Sequence, residues 1–510
     1  MARSPFALTA GAAAALFVAA LVVAPLVAVL AHAGGAGRLS AADWSALRFT
    51  TLQAALSALI STALAVPLAR AIARRRFPGR GLLILLLGAP FILPVIVAIA
   101  GLLTIFGRNG LLNAGLGAVG LEPVSIFGLH GVLLAHVFFN LPLATRLLLE
   151  GWRGIPTEHF RLAAQLGLSS ASLFRVLELR MLRQRIPGIL AVIFAICLSS
   201  FAVVLILGGG PKATTIELSI YQAFSFDFDL GRAAMLSVVQ IVIVAIAAGL
   251  AMTLAVPDGS GVGLDRTVQR WDGAVGQTIL DAIWITLSTL FILLPILLVT
   301  WRGAANLIDL PAGIGRAAAT SLAVALSSGV LSVLLAFCLA LPQRRSFEGL
   351  ALLALAASPL VLGTGLFLLI RPFAFPGNHI LLITSALNAA AALPFVLRAI
   401  APGIRAAEAD YGRLADSLDM TGWARLRWLI LPRIRPALGF SMGLAAALSM
   451  GDLGVIALFP PPDTATLPLF IYRLMGAYQT EAAAGASLVL AGLTFGLFIL
   501  FDTAGRHART

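Results

Sequence analysis

Apolar residues in this chain come in long unbroken runs, not in the period-two or period-3.6 alternation of half-buried strands and helices. A helix needs roughly 17–25 apolar residues to cross about 30 Å of hydrocarbon. Runs of that length lie near 6–31, 50–73, 81–106, 128–149, 187–207, 233–255, 280–300, 317–342, 349–370, 379–400, 437–459 and 483–502. The pattern therefore predicts an all-α integral membrane protein of about 12 transmembrane helices. Several runs hold Pro or Gly, which spans tolerate because neighbouring groups re-satisfy the freed backbone. The first run follows Arg3 and continues to about Leu30. That exceeds the apolar core of a secretory signal, roughly 7–15 residues, so an uncleaved first helix is expected.

Composition agrees and excludes a soluble domain. Of 510 residues, 60% are apolar and 11% charged, with a mean hydropathy of +1.00. The net charge of +13, carried by Arg with a single Lys at 212, would suggest nucleic acid in a soluble protein. Distributed over the loops it reads as topology instead. The side holding both termini collects a net +13 and the other side a net +1, with Asp452 at membrane level. The Arg-rich side is expected to be cytoplasmic. Cys197 and Cys338 sit in apolar runs, where each reads as a small hydrophobe.

The chain repeats itself. Thr51-Leu52-Gln53-Ala54-Ala55-Leu56-Ser57 aligns with Ser321-Leu322-Ala323-Val324-Ala325-Leu326-Ser327 at an offset of 270, which also pairs Arg74, Phe77 and Gly79 with Arg344, Phe347 and Gly349. Further on the offset is 252, pairing Pro142, Arg146, Leu162 and Leu177 with Pro394, Arg398, Leu414 and Leu429. The first half carries the extra residues, expected in the loop from Gly107 to Pro123. Six spans return the chain to its starting side, so the halves form two parallel six-helix repeats around an axis along the membrane normal. The expected organisation is a first half at 1–256 (core about 46–250), a cytoplasmic linker at 257–279 and a second half at 280–510 (core about 315–503).

Two cytoplasmic stretches at matched positions, Ile155 to Pro187 and Ile404 to Pro432, each read as two short helices with a break. In the first, Pro156 suits position N1, Gly167 a helix end, and Ser169 or Ser170 the cap of a second helix that stops before Pro187. His159, Leu162, Ala163 and Leu166 fall on one helical face, as do Tyr411, Leu414, Ala415 and Leu418. A partly apolar helix presented twice suits docking by two copies of one partner.

These stretches resemble the cytoplasmic loop of binding-protein-dependent ABC importer permeases, whose pattern is Glu-Ala-Ala, three residues, Gly, nine residues, Ile-x-Leu-Pro. The first copy here has Arg161-Leu162-Ala163, Gly167 and Leu177-Glu178-Leu179-Arg180; the second has Arg413-Leu414-Ala415, Asp419 and Leu429-Ile430-Leu431-Pro432. Both replace the acid, the first lacks the Pro and the second the Gly. The run Phe201-Ala202-Val203-Val204 through Gly208-Gly209-Gly210-Pro211-Lys212 to Tyr221-Gln222-Ala223, with Gly451-Asp452-Leu453-Gly454 to Phe459, is similar to thiamine and thiamine pyrophosphate importer permeases, and the likeness spans nearly the whole chain. It implies the type I ABC importer permease fold in a bacterial inner membrane. It also implies two copies of an ABC ATPase docked through His159, Leu162, Ala163, Leu166, Gly167, Tyr411, Leu414, Ala415, Leu418 and Asp419, and a periplasmic thiamine-binding protein. Fused iron(III) permeases are the neighbouring possibility.

No P-loop is present: the one lysine, Lys212, follows Gly-Gly-Gly-Pro and precedes Ala. No cofactor is expected on this chain, and ATP is expected to be hydrolysed by the partner subunit. The six His show no metal-ligand spacing. A charge inside the membrane costs about 2.5–3.5 kcal/mol, so Asp452 marks either a pathway or a paired or solvated helix end. With Ser200, its counterpart in the first half, and the aromatics Phe201 and Phe459, it is the candidate substrate pathway. Glu217, Asp227 and Asp229 can meet basic residues on a delivery protein or simply face solvent. A secondary transporter would need coupling-ion groups at the midplane, and apart from Asp452 the spans supply almost none.

Overall fold

The computed structural model describes residues 5–33, 38–254, 275–308, 310–344, 346–349, 351, 358–373, 379–458 and 465–507, and among these it is helical without strands. The first half begins with α1 (Pro5–Ala33) and α2 (Ala41–Arg74). A capping box starts α2: the Ser40 hydroxyl accepts from the Asp43 N–H while the Asp43 carboxylate accepts from the Ser40 N–H. The third span is interrupted, with α3 (Arg80–Leu86) separated from α4 (Val95–Phe106) by a 3-10 turn ending before Pro94. Then come α5 (Leu111–Ala118), α6 (Leu129–Arg153), α7 (Thr157–Gln165) and α8 (Ser170–Leu173). A π turn at Phe174–Glu178 carries α8 into α9 (Leu179–Leu198), followed by α10 (Phe201–Leu207), α11 (Ile216–Ser225) and α12 (Leu230–Leu254).

The second half repeats this order with α13 (Val275–Ala305), α14 (Ile314–Ala340), α15 (Pro359–Ile370) and α16 (Ile380–Ser417). It continues with α17 (Gly422–Arg425), a π turn at Leu426–Ile430, α18 (Leu431–Met450), α19 (Gly454–Leu458), α20 (Leu467–Gly476) and α21 (Thr480–His507). Among the described residues 11 helices are long and apolar enough to cross a membrane. The remaining expected span, 349–370, is seen as α15, with residues 350 and 352–357 outside the described set. Most of the expected linker, up to residue 274, is also outside it, and its last five positions already belong to α13.

The halves interlock by exchanging their first helices. α1 packs against α14 and α15 of the second half, and α13 packs against α2 and α4 of the first, so the two sets of contacts mirror each other. Gly101 on α4 and Gly365 on α15 occupy the two crossings, 264 positions apart (365 − 101). The offset therefore falls from 270 to 264 before α4 and to 252 after it. The extra residues are shared between the interrupted third span and the α5 loop instead of lying all in the loop. Asn113 pins that loop by donating to the Gly107 and Val124 carbonyls, both at 2.9 Å.

Candidate functional site

Both fifth spans break at the same depth. α9 and α10 are separated at Ser199-Ser200, and α18 and α19 at Gly451-Asp452-Leu453. The breaks meet the interrupted third span: a Cβ on Gly451 would lie 3.1 Å from Pro94 Cα, and one on Gly454 would touch the Phe201 ring. Between them lies a cavity of about 400 Å³ lined by Phe91, Pro94, His136, Phe139, Asn140, Ser200, Phe201, Gly451 and Asp452, among others. Broken helices at membrane depth survive only where they are buried in protein or border a cavity.

The structure brings Ser200, Phe201 and Asp452 together there, while Phe459 lies outside the described residues. Asp452 is half-buried at the end of α18 and has no Arg partner among the described residues. Its Oδ1 accepts from the Gly454 N–H at 3.1 Å, and its buried Oδ2 has no hydrogen-bond partner among the described residues. His136, which carried no expectation, shares hydrogen bonds with Ser57 Oγ at 2.9 Å and Ser200 Oγ at 2.7 Å. The signal that finds it is the repeat: at offset 252 it stands opposite Asn388.

After its broken fifth span each half carries a short helix tied to its own second span. The Ile216 N–H on α11 donates to Thr50 Oγ1 at 2.9 Å, and the Leu467 N–H on α20 donates to Ser321 Oγ at 2.7 Å. Of the outward acids, Asp227 pairs with Arg232 at 3.3 Å and Asp229 caps α12. Glu217 is buried, against the expectation of a surface acid, and accepts from Gln240 Nε2 at 3.4 Å.

The two loops expected on the cytoplasmic side keep their matched placement but differ from the expected pairs of short helices. In the first, Pro156 is the N-cap rather than N1, Ser169 caps α8 by accepting from the Ser172 N–H, and α9 runs through Pro187 to Leu198. In the second, the segment carrying Tyr411 is the end of the 38-residue α16. Gly167 and Asp419 both adopt left-handed backbone, φ +60° and +52°. Asp419 therefore takes over the turn that glycine makes in the first copy, one of the few side chains that tolerates it.

Of the predicted face, Ala163 and Ala415 point inward, each 3% exposed, whereas His159, Leu162, Leu166, Leu414 and Leu418 are exposed. Tyr411 is covered by Arg433, whose guanidinium sits 3.4 Å from the ring centre. Val176 and Trp428, also 252 apart, extend the exposed apolar surface in both copies, and Trp423 adds to the second. The loops are braced differently. Glu178 accepts from Arg70 Nε at 2.6 Å and Trp152 Nε1 at 3.3 Å; Arg425 grips Glu408 with contacts of 3.0 and 2.5 Å and also pairs with Asp416.

Known proteins bear directly on this architecture. The chain is 39% identical over 516 residues to the thiamine transport system permease protein ThiP of Brucella abortus, covering 97% of this chain and 95% of the relative. It is 40% identical over 488 residues to that of Escherichia coli, covering 92% and 90%. The chain belongs to the thiamine transport system permease family. Haemophilus influenzae has a further member, 33% identical over 467 residues. No family model matches the chain. Membership fixes the chain as a multi-pass membrane permease.

Proposed function

We propose that the chain is the translocation subunit of an ATP-driven importer for thiamine or its pyrophosphate in a bacterial inner membrane, with both termini cytoplasmic. Cargo arrives on a soluble periplasmic binding protein. Two copies of an ABC ATPase engage the exposed leucines of the two cytoplasmic loops, and ATP is hydrolysed there; this chain binds no cofactor. The observation that carries the reading is the cavity at the broken fifth spans, lined by residues of both halves, with Asp452 in its wall and one buried oxygen of that carboxylate lacking a hydrogen-bond partner among the described residues. A fixed cationic ring suits that wall, since the site offers one negative charge and the rings of Phe91, Phe139 and Phe201 rather than arginines. Alternating access follows when ATP binding favours one of two arrangements of the halves.

Uptake of radiolabelled thiamine by an auxotroph expressing this chain with its ATPase and binding protein tests the reading. Thiamine-dependent growth is expected, and Asp452→Asn should slow uptake while leaving assembly intact. Growth restored on limiting iron without thiamine rescue would move the cargo to iron(III). Orientation is tested separately by cysteines at the exposed positions Arg175 and Arg427, which an impermeant reagent outside intact cells should not label.

A further inference from the structure

The offset of 252 that aligns the cytoplasmic loops also aligns His136 with Asn388, Cys197 with Ser449 and Ser200 with Asp452. Each fourth span thus sends a hydrogen-bonding side chain beneath the break in the fifth. In the second half Asn388 Nδ2 donates to Ser449 Oγ at 3.0 Å, and that hydroxyl shares a 2.9 Å bond with Ser328. Asp452 is left with a buried oxygen that has no hydrogen-bond partner among the described residues. In the first half His136 has both ring nitrogens engaged, by a fully buried Ser57 and by Ser200, which is only half-buried at the cavity wall. With both nitrogens occupied, the ring is not free to act as a base or ligand. Its effect is to fix the direction of the Ser200 hydroxyl, because an imidazole held between two hydroxyls takes one as donor and the other as acceptor.

We propose that the cavity is a transit site with two unlike poles that holds a two-ring heteroaromatic with one quaternary ring in one orientation. The cationic ring lies towards Asp452, and the neutral hydrogen-bonding ring lies on the Ser200 hydroxyl, with His136 as its positioning residue. The inference rests on the cargo proposed above and adds how that cargo is told from its analogues. A site with two identical poles would accept the molecule in either sense. Exchanging one hydroxyl for a carboxylate at equivalent places removes that degeneracy. The Asp452 carboxylate, beside the cavity and with one oxygen uncompensated by a hydrogen bond, suits a quaternary ring, which offers charge but no N–H, whereas the aligned hydroxyl fits a ring whose edge carries amino and ring-nitrogen groups.

The test is the ratio of uptake rates for thiamine and oxythiamine, in which an oxygen replaces the pyrimidine amino group, with both compounds saturating the binding protein so that transit sets the rate. Wild type should favour thiamine. Ser200→Ala and His136→Asn should narrow the ratio by about three- to tenfold, the worth of one hydrogen bond. Ser200→Thr, which keeps the hydroxyl, should retain it, and Asp452→Asn should slow both compounds alike. Rates are read only in variants that co-purify with the ATPase. A ratio near one in wild type, or one unmoved by Ser200→Ala and His136→Asn, overturns the two-pole site. Failure of wild type to take up either compound overturns the cargo reading instead.

Discussion

Gly101 meets the backbone of Pro295 so closely that no side chain fits between them: a Cβ on Gly101 would lie 2.5 Å from the Pro295 carbonyl oxygen. The mate of this crossing is Gly365 against the Pro25 carbonyl. Pro25 and Pro295 are 270 apart and each lies inside the first helix of its half. Without a hydrophobic drive between apolar helices in lipid, such close backbone approach is what holds spans together.

Alanine at either glycine should therefore be costly, because the obstructing atom is backbone and cannot rotate away. We expect Gly101→Ala and Gly365→Ala each to destabilise by about 1–3 kcal/mol, the usual range for overpacking. Gly81→Ala, where nothing lies within 4 Å, should be neutral. Melting temperatures of the purified protein decide it, and equal values for Gly101→Ala and Gly81→Ala would show that the crossing yields.

The N-terminal end of α13 is tied to the first half by charge. The buried Asp281 accepts from Arg74 Nε and Nη2 at 2.7 and 2.5 Å and from Arg75 Nε at 2.7 Å. The equivalent place on α1 is Gly11, so the tie is one-sided. Asp281→Asn would leave two guanidiniums facing each other, and breaking such a buried cluster costs about 3–5 kcal/mol. Asp502→Asn, which removes the half-buried partner of the exposed Arg506, should cost about 0–1 kcal/mol. Similar unfolding midpoints for the two variants would contradict the assigned burial.

Glu217, on α11 outside the spans, supplies a pH dependence. Burial pushes its carboxyl up from 4.5 to about 7, only partly offset by hydrogen bonds from Ser358 and Gln240. An acid whose folded pKa is raised binds its proton more tightly when folded. Its contribution is therefore full below about 4.5 and is lost as pH rises past about 7. Glu217→Gln removes the charge, and its amide can donate to Gln240 Oε1, which otherwise lacks a partner. Expected is a variant more stable than wild type at pH 8–9 with little difference near pH 5, read from thermal melts. A constant difference across that range would discount the buried charge.

How much of this was legible beforehand follows from which signals are local. Span positions were readable because apolar length alone specifies a helix in lipid. The breaks at Ser200 and Asp452 were visible only as small or polar residues; that both face one cavity depends on how α4, α9 and α18 converge. His136 was passed over because a lone His in an apolar run resembles a core residue, and only its repeat partner Asn388 marks the place. Periodicity puts Ala163 and Leu166 on one stripe, yet it cannot say which part of a stripe turns inward, and here Ala163 is buried while Leu166 is exposed. Glu217 misled for the same reason: acids in outward loops are usually solvated, and its burial depends on α12 packing over it.

The inward turn of the alanines separates folding from docking in the two matched loops. Ala163 and Ala415 are buried against this chain's own helices, so Ala163→Asp or Ala415→Asp places an ion in an apolar contact and should lower the melting temperature before any partner is involved. Leu166 and Leu418, 66% and 63% exposed, touch little of their own chain. Leu166→Asp with Leu418→Asp should leave the melt of the isolated permease unchanged while the ATPase is lost from the purified complex, because a charge carried into an apolar groove is desolvated without a partner. Each single variant should retain the ATPase through the intact loop and show partial uptake. Full ATPase recovery and wild-type uptake in the double variant would remove the exposed leucines from the docking surface and leave Val176, Trp423 and Trp428 as the residues to test.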